Sequence, residues 1–213
     1  MRIHHAFALA AVLASPMSAQ GVDDGGQPGP RALLPRTEEI ALARSAAPAE
    51  VSDSATIFVL TATGYEVAVQ GTSGAACYVS RDWIESVEPH CFDPEGAETI
   101  LPMHMHRVGM LHTGKSREEA DREIAEGIAS GRFRLPRRPA MSYMMSAEQK
   151  LIAPGGAPVG AWRPHLMIYL PYLTDADIGI AGLPNAAVIS VVDSGKPTAN
   201  IMVIARDFIA VRR

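Results

Sequence analysis

ATIFVLT at 55–61, YEVAVQ at 65–70 and ACYVS at 76–80 are three apolar runs parted by Thr63-Gly64 and by Gly71-Thr72-Ser73-Gly74, and their reading decides the fold. In the middle run Tyr65, Val67 and Val69 alternate with Glu66, Ala68 and Gln70, the period of a strand with one buried face. Short β-rich runs separated by glycine-bearing turns read as an antiparallel meander. Cys77 sits in the third run. Four more strand-like runs, Met141 to Met145, Leu166 to Leu170, Ala187 to Val192 and Asn200 to Ala205, follow much later, and the longest irregular stretch, Ala153 to Pro164, lies among them.

Between the two groups of strands lies a helical pair, about Thr99 to Thr113 and Arg117 to Ser130. Ser116 and Glu119 make a capping box, Ala120, Ile124 and Ile128 form an apolar stripe, and Gly131 suits the helix end. Pro102 is tolerated if it falls in the first turn of its helix. A further helix is predicted from Thr37, read as its N-cap, through Ala46. Strands grouped at both ends around a helical pair give an α+β fold with a central, mostly antiparallel sheet.

The first residues have the three parts of a secretory signal: basic Met1-Arg2, an apolar run from Ala6 to Ala14, and small residues through Ala19. About nine apolar residues are too few to span a bilayer, so cleavage after Ala19 is expected rather than a stable membrane anchor. The expected organisation is a signal at 1–19, a flexible Gly/Pro-rich arm at 20–36, and one globular domain at 37–213 in the periplasm or outside the cell. Removing 1–19 takes only Arg2 among the charged residues. That leaves 18 basic against 23 acidic side chains, a balance that offers nothing to nucleic acid. The apolar fraction of 47% excludes a disordered chain.

Export also decides the reading of the cysteines. Cys77 and Cys91 are the only two, and in an oxidising compartment they pair. Neither the haem-attachment spacing nor a structural zinc pattern is present. Pro89-His90-Cys91-Phe92-Asp93-Pro94-Glu95-Gly96 then reads as a turn pinned to the third strand.

Three segments carry chemistry. Gly109-Met110-Leu111-His112-Thr113-Gly114-Lys115-Ser116 satisfies a phosphate-loop pattern literally, but Pro102 to Arg107 is not the buried strand that such a loop follows. A helix end at Gly114 and a new cap at Ser116 explain it without phosphate. Met103-His104-Met105-His106 with Met110 offers thioethers and imidazoles, a donor set that suits copper. On a helix Met103, His106 and Met110 share a face. Buried methionines beside solvated histidines are the plainer account. The third is Trp162 to Tyr172, leading to Thr174-Asp175-Ala176-Asp177. A strand from His165 places His165, Met167 and Tyr169 on one face, giving a cleft an acid/base group and a hydroxyl donor. Asp93, Glu95 or Asp175 would supply a carboxylate if the fold brings one near. Thr174 and Asp177 also make a capping box for a short helix.

Cys77-Tyr78-Val79, Pro89 to Gly96 and Pro164-His165-Leu166-Met167-Ile168-Tyr169 together resemble a group of uncharacterised exported bacterial proteins, over about Thr37 to the C-terminus. The resemblance implies no activity, cofactor or fold. In that group Gly-Thr-Asn-Gly-Phe stands at Gly71 to Ala75 and no Met-His cluster stands at 103–106, which points to the His165 region. Three functions are carried forward. The first is a non-catalytic binding or accessory domain for a small molecule or protein. The second is a hydrolase-type enzyme using His165, Tyr169 and Asp93, and the third a copper protein using Met103, His104, His106 and Met110.

Overall fold

In the computed structural model, which describes residues 29–82, 86–152, 163–181 and 189–212, the alternating run becomes a strand at the edge of one sheet. β1 (Thr56–Thr61) and β2 (Gly64–Val69) form the expected antiparallel hairpin. β3 (Ala76–Ser80) does not continue a meander: it lies on the other side of β1 and runs parallel to it, with Thr56 opposite Ala76 and Ile57 opposite Cys77. The chain between β2 and β3 passes beneath the start of β1, where Thr72 and Ser73 donate backbone N–H groups to the Ser54 carbonyl. Gly71 permits the crossing, because a Cβ there would stand 2.2 Å from the Thr56 nitrogen.

The segment read as a pinned turn is β4 (Glu88–Phe92), antiparallel to β3, with Cys77 directly opposite Cys91 and joined to it by the disulfide. Asp93 and Pro94 start a helix rather than close a turn. Asp93 is the N-cap of α3 (Pro94–His112), accepting from the Gly96 amide, and Pro94 occupies the first helical position, which needs no N–H donor. The helix therefore begins five residues before Thr99, and Pro102 lies in its interior. It ends in a Schellman arrangement, Lys115 N–H to the Met110 carbonyl and Gly114 N–H to the Leu111 carbonyl, with Gly114 at φ +91°. The capping box of Ser116 and Glu119 opens α4 (Arg117–Ala129), so helix ends account for every residue of the phosphate-loop lookalike.

β5 (Ala140–Met144), β6 (His165–Tyr169), β7 (Ile189–Val192) and β8 (Asn200–Ile204) complete an eight-stranded sheet in the order β2-β1-β3-β4-β5-β6-β8-β7. Every pairing but β1 with β3 is antiparallel, and the fold is α+β. The 174–179 segment keeps its capping-box bonds between Thr174 and Asp177 but stays a turn. The signal and most of the 153–164 loop lie outside the described residues.

The sheet's two faces hold different cores. On one, α1 (Arg36–Arg44) and the short α2 (Ala49–Ser52) cover a cluster built from Leu42, Ala43, Ala46, Ile57, Val79 and the disulfide. Pro35 precedes α1 and no side chain caps it, so Thr37 is inside the helix rather than its N-cap. Glu39 reaches the interior from α1 and meets Arg81 at 2.9 Å, both side chains at most 1% exposed. The Glu39 carboxylate also accepts the Leu60 amide, and Arg81 donates to the Val79 carbonyl. On the other face α3 and α4 cover Tyr78, Phe92, Ile100, Leu101, Met103 and Ile124. Residues 29–36, read in sequence as part of the arm, include one firmly held side chain: Arg31 is buried and donates to the Asp82 and Arg81 carbonyls, while its backbone amide donates to His112 Nδ1.

Candidate functional site

Because strand residues alternate, the placement of Cys91 in the core under α1 sends its neighbours His90 and Phe92 to the opposite face, beside Tyr78 across the β3–β4 register. On that face the floor of the sheet continues through Ser142 and Met144 of β5 to His165, Met167 and Tyr169 of β6 and on to Asn200 and Met202 of β8. α3 packs chiefly on the β2–β5 side of it and reaches β6 through His104 against Tyr169. The uncovered part is a cleft of about 290 Å³ between α3 and the last three strands.

Three imidazoles from three elements line this cleft: His90 from β4, His104 from α3 and His165 from β6. His90 and His104 belong to one aromatic cluster. His90 stacks on Phe92 with centroids 5.8 Å apart, and His104 stands edge-on to both, 5.8 Å from His90 and 5.7 Å from Phe92. Tyr169 closes the group 6.2 Å from His104 and 6.1 Å from Phe92. The Tyr78 hydroxyl lies 3.2 Å from His104 Nδ1.

Burial keeps all three rings neutral. His90 is pushed well below the ordinary imidazole range by desolvation and by the two other histidines. His104 is pulled down to about 4, chiefly by desolvation and then by the Arg107 guanidinium. His165 is lowered by burial, partly offset by its bond to the Arg163 carbonyl. That bond, 2.8 Å from Nδ1, fixes the tautomer: a carbonyl only accepts, so the proton is on Nδ1 and the lone pair on Nε2. His90 Nδ1 is buried and has no hydrogen-bond partner among the described residues. Burial likewise raises the Tyr169 and Tyr78 phenols above their ordinary value, so both stay protonated.

Charged side chains line the cleft too: Asp82, Glu88, Arg107 and Asp193. Burial alone would raise Asp82, but Arg107, Arg117 and Arg31, with His104, hold its carboxyl below the usual range. Arg107 would be lowered by burial and is instead held up by Asp82, Asp121 and Asp193. Asp193 takes a left-handed φ of 55° and accepts from Thr198 at 2.9 Å.

Of the residues read from sequence, His165 and Tyr169 both line this cleft, four positions apart at the two ends of β6. Asp93 does not line it; its Oδ1 accepts the amides of Gly96 and Met141 and so ties α3 to β5. Glu95 is bonded to Arg138 and the Arg137 amide, and Asp175 is likewise not among the residues lining the cleft. The Met-His segment is divided. Met103 is buried under the sheet, His104 faces Tyr78 and the cleft, and His106 bonds Glu123 of α4 at 3.0 Å. Met110 is buried as well.

Sequence reasoning passed over His90, Met144, Met202, Asp82 and Arg107. A signal for His90 was present: a bridged Cys91 inside an apolar face obliges residue 90 to face the other way. The rest are brought in by pairings between strands distant in sequence. Among the described residues no three His, Cys, Asp or Glu side chains converge as a metal-holding group, and no helix is long and apolar enough to cross a membrane. No protein-family model, curated protein or solved structure matches this chain, so the chemistry of its own residues carries the functional reading.

Proposed function

We propose that this is an exported, non-catalytic binding domain whose ligand occupies the cleft between α3 and β6–β8. One observation carries the reading: His90, His104 and His165 come from three separate elements, face one cavity, and are kept neutral there by burial. Neutral imidazoles offer lone pairs and N–H donors without charge. Burying polar groups is costly unless a partner repays it, and His90 Nδ1 has none among the described residues. A cavity of about 290 Å³ suits a small ligand. Export is supported by the signal-like Met1 to Ala19 and by the buried Cys77–Cys91 disulfide, a bond that persists in oxidising compartments.

Catalysis is the second reading, favoured by the fixed tautomer of His165, which leaves Nε2 able to accept a proton. Against it, the group behind His165 is a backbone carbonyl rather than a carboxylate, and Asp93 is engaged in capping α3.

The test is to add a panel of small uncharged organic molecules and single metal ions to the full chain while recording the histidine ring signals by NMR. A ligand that moves the His90, His104 and His165 signals together, and is weakened at least tenfold in His90→Phe, is the expected outcome. If nothing in the panel moves these rings, the binding reading falls. Turnover of an ester or phosphoester substrate that is lost in His165→Gln would replace it with the enzyme.

A further inference from the structure

The sulfur atoms in the cleft point to a more specific ligand. Met144 lies directly across the β5–β6 ladder from His165, and Met167 directly across the β6–β8 ladder from Met202. His165 and Met167 are two residues apart on the same face of β6. All four line the same cleft. One imidazole is thus surrounded by three thioethers: one opposite, one along the strand and one on the diagonal.

Spacing and flexibility allow these donors to meet. Side chains directly opposite in an antiparallel pair have Cβ atoms about 5 Å apart, and diagonal neighbours are about 7–8 Å apart. Methionine has three rotatable bonds beyond its backbone, so sulfurs anchored at these spacings can converge on one ion. Core filling accounts for Met144, which is 2% exposed, but Met167 and Met202 are only partly buried and border open space. The Tyr169 hydroxyl donates to the Met167 sulfur at 3.7 Å, a weak bond that leaves a second sulfur lone pair. His165 has the arrangement usual for a metal-ligating histidine, one ring nitrogen held by a carbonyl and the other carrying the lone pair.

We propose that His165, Met144, Met167 and Met202 form a binding site for one monovalent soft metal ion, Cu(I). This rests on the reading of the cleft as the ligand site and names the ligand's chemical class. Thioethers are poor ligands for magnesium, calcium or zinc and good ones for Cu(I), and imidazole completes a set that selects it. The absence of a convergent His, Cys, Asp or Glu trio among the described residues agrees with a soft ion rather than a hard one. The site differs from the Met103–Met110 segment that sequence singled out, where the two histidines part company.

The experiment uses the full chain with methionine methyl groups labelled for NMR, titrated anaerobically with Cu(I) and separately with Ag(I), which has the same charge and softness and no redox chemistry. Saturation at one equivalent is expected, with shifts of the Met144, Met167 and Met202 methyls and of the His165 ring, while Met103 and Met110 stay in place. Zn(II) at the same concentration should move none of them. The Met167→Leu/Met202→Leu variant keeps the apolar volume and should bind Ag(I) at least tenfold more weakly. Absence of one-to-one saturation, shifts centred on Met103 and Met110, or unchanged affinity in the double variant overturns the proposal. Should organic ligands move the histidine rings while Ag(I) does not, the cleft remains a binding site and the metal is wrong. If neither does, both readings fall.

Discussion

The two faces of β3 and β4 are made by neighbouring residues and behave as opposites. Cys77, Val79 and Cys91 look toward α1 into a closed core, whereas Tyr78, Ser80 and His90 look toward α3, where the covering helix stops short and a cleft opens. Polar groups occur on both. On the α1 side Glu39 and Arg81 form a buried salt bridge; in the cleft burial holds the imidazoles neutral. One set of strands therefore holds the fold together through its odd-numbered side chains and presents a site through its even-numbered ones. The first face should respond to mutation with loss of stability, the second with loss of binding.

The sharpest way to break this division is at Arg81. Arg81→Leu strands the Glu39 carboxylate in an apolar surrounding with only the Leu60 amide as donor, and removing one partner of a buried pair costs about 3–5 kcal/mol. Urea unfolding should show the loss, and the double variant Glu39→Leu/Arg81→Met should recover most of it, because a packed apolar pair avoids desolvating two charges. In the folded fraction the histidine signals of the cleft should be unchanged. A single variant within about 1 kcal/mol of the parent would mean that the pair is not sealed as described.

Acid tests the other face. The depressed values of the cleft histidines mean that the unfolded chain takes up protons below about 6.5 while the folded one does not, His104 resisting until about 4. Stability from this source is fully present above 6.5 and is lost as pH falls toward 4. For His104 alone the loss is at most about 3.5 kcal/mol, since one pKa unit corresponds to about 1.4 kcal/mol. The slope of unfolding free energy between pH 6.5 and 4.5 should be shallower in His104→Phe. If the slopes coincide, His104 is not the group being held neutral.

The contrast between the faces also explains what could be read from the chain. Local signals placed the elements: the alternation at Tyr65, Val67 and Val69 gave β2, although Val67 is 45% exposed at this sheet edge and the expected face is not buried throughout; the Ser116–Glu119 box gave the start of α4, and the four late apolar runs gave β5 to β8 within one or two residues. The parallel pairing of β1 with β3 was not legible. Gly71 reads equally as a hairpin turn or as a crossing point, and only its approach to Thr56 distinguishes them. In the cleft, His165 and Tyr169 were legible because they sit four apart, an even spacing that puts both on one face of one strand. Met144 and Met202 join them through ladders spanning tens of residues, and His90 through a third strand, so no local pattern reports them.

Asp93 gives the smallest expected effect and the clearest separation between a residue that looks functional in sequence and one that is structural in the fold. It stands beside the disulfide, one residue from Phe92, and by type it suits a catalytic carboxylate. In the structure its Oδ1 accepts from Gly96 at 2.8 Å and from Met141 at 2.9 Å, joining the first turn of α3 to β5. Asp93→Ala removes the acceptor of both bonds and should cost about 1–2 kcal/mol, the usual range for a lost helix N-cap. Asp93→Asn retains an oxygen acceptor and should recover most of that loss. Neither change should alter Ag(I) affinity or the His165 ring signal, since the residue lies outside the cleft lining. Loss of binding or of any measured turnover in Asp93→Asn, with stability kept, would move Asp93 from the scaffold to the site and return the carboxylate to the His165 chemistry.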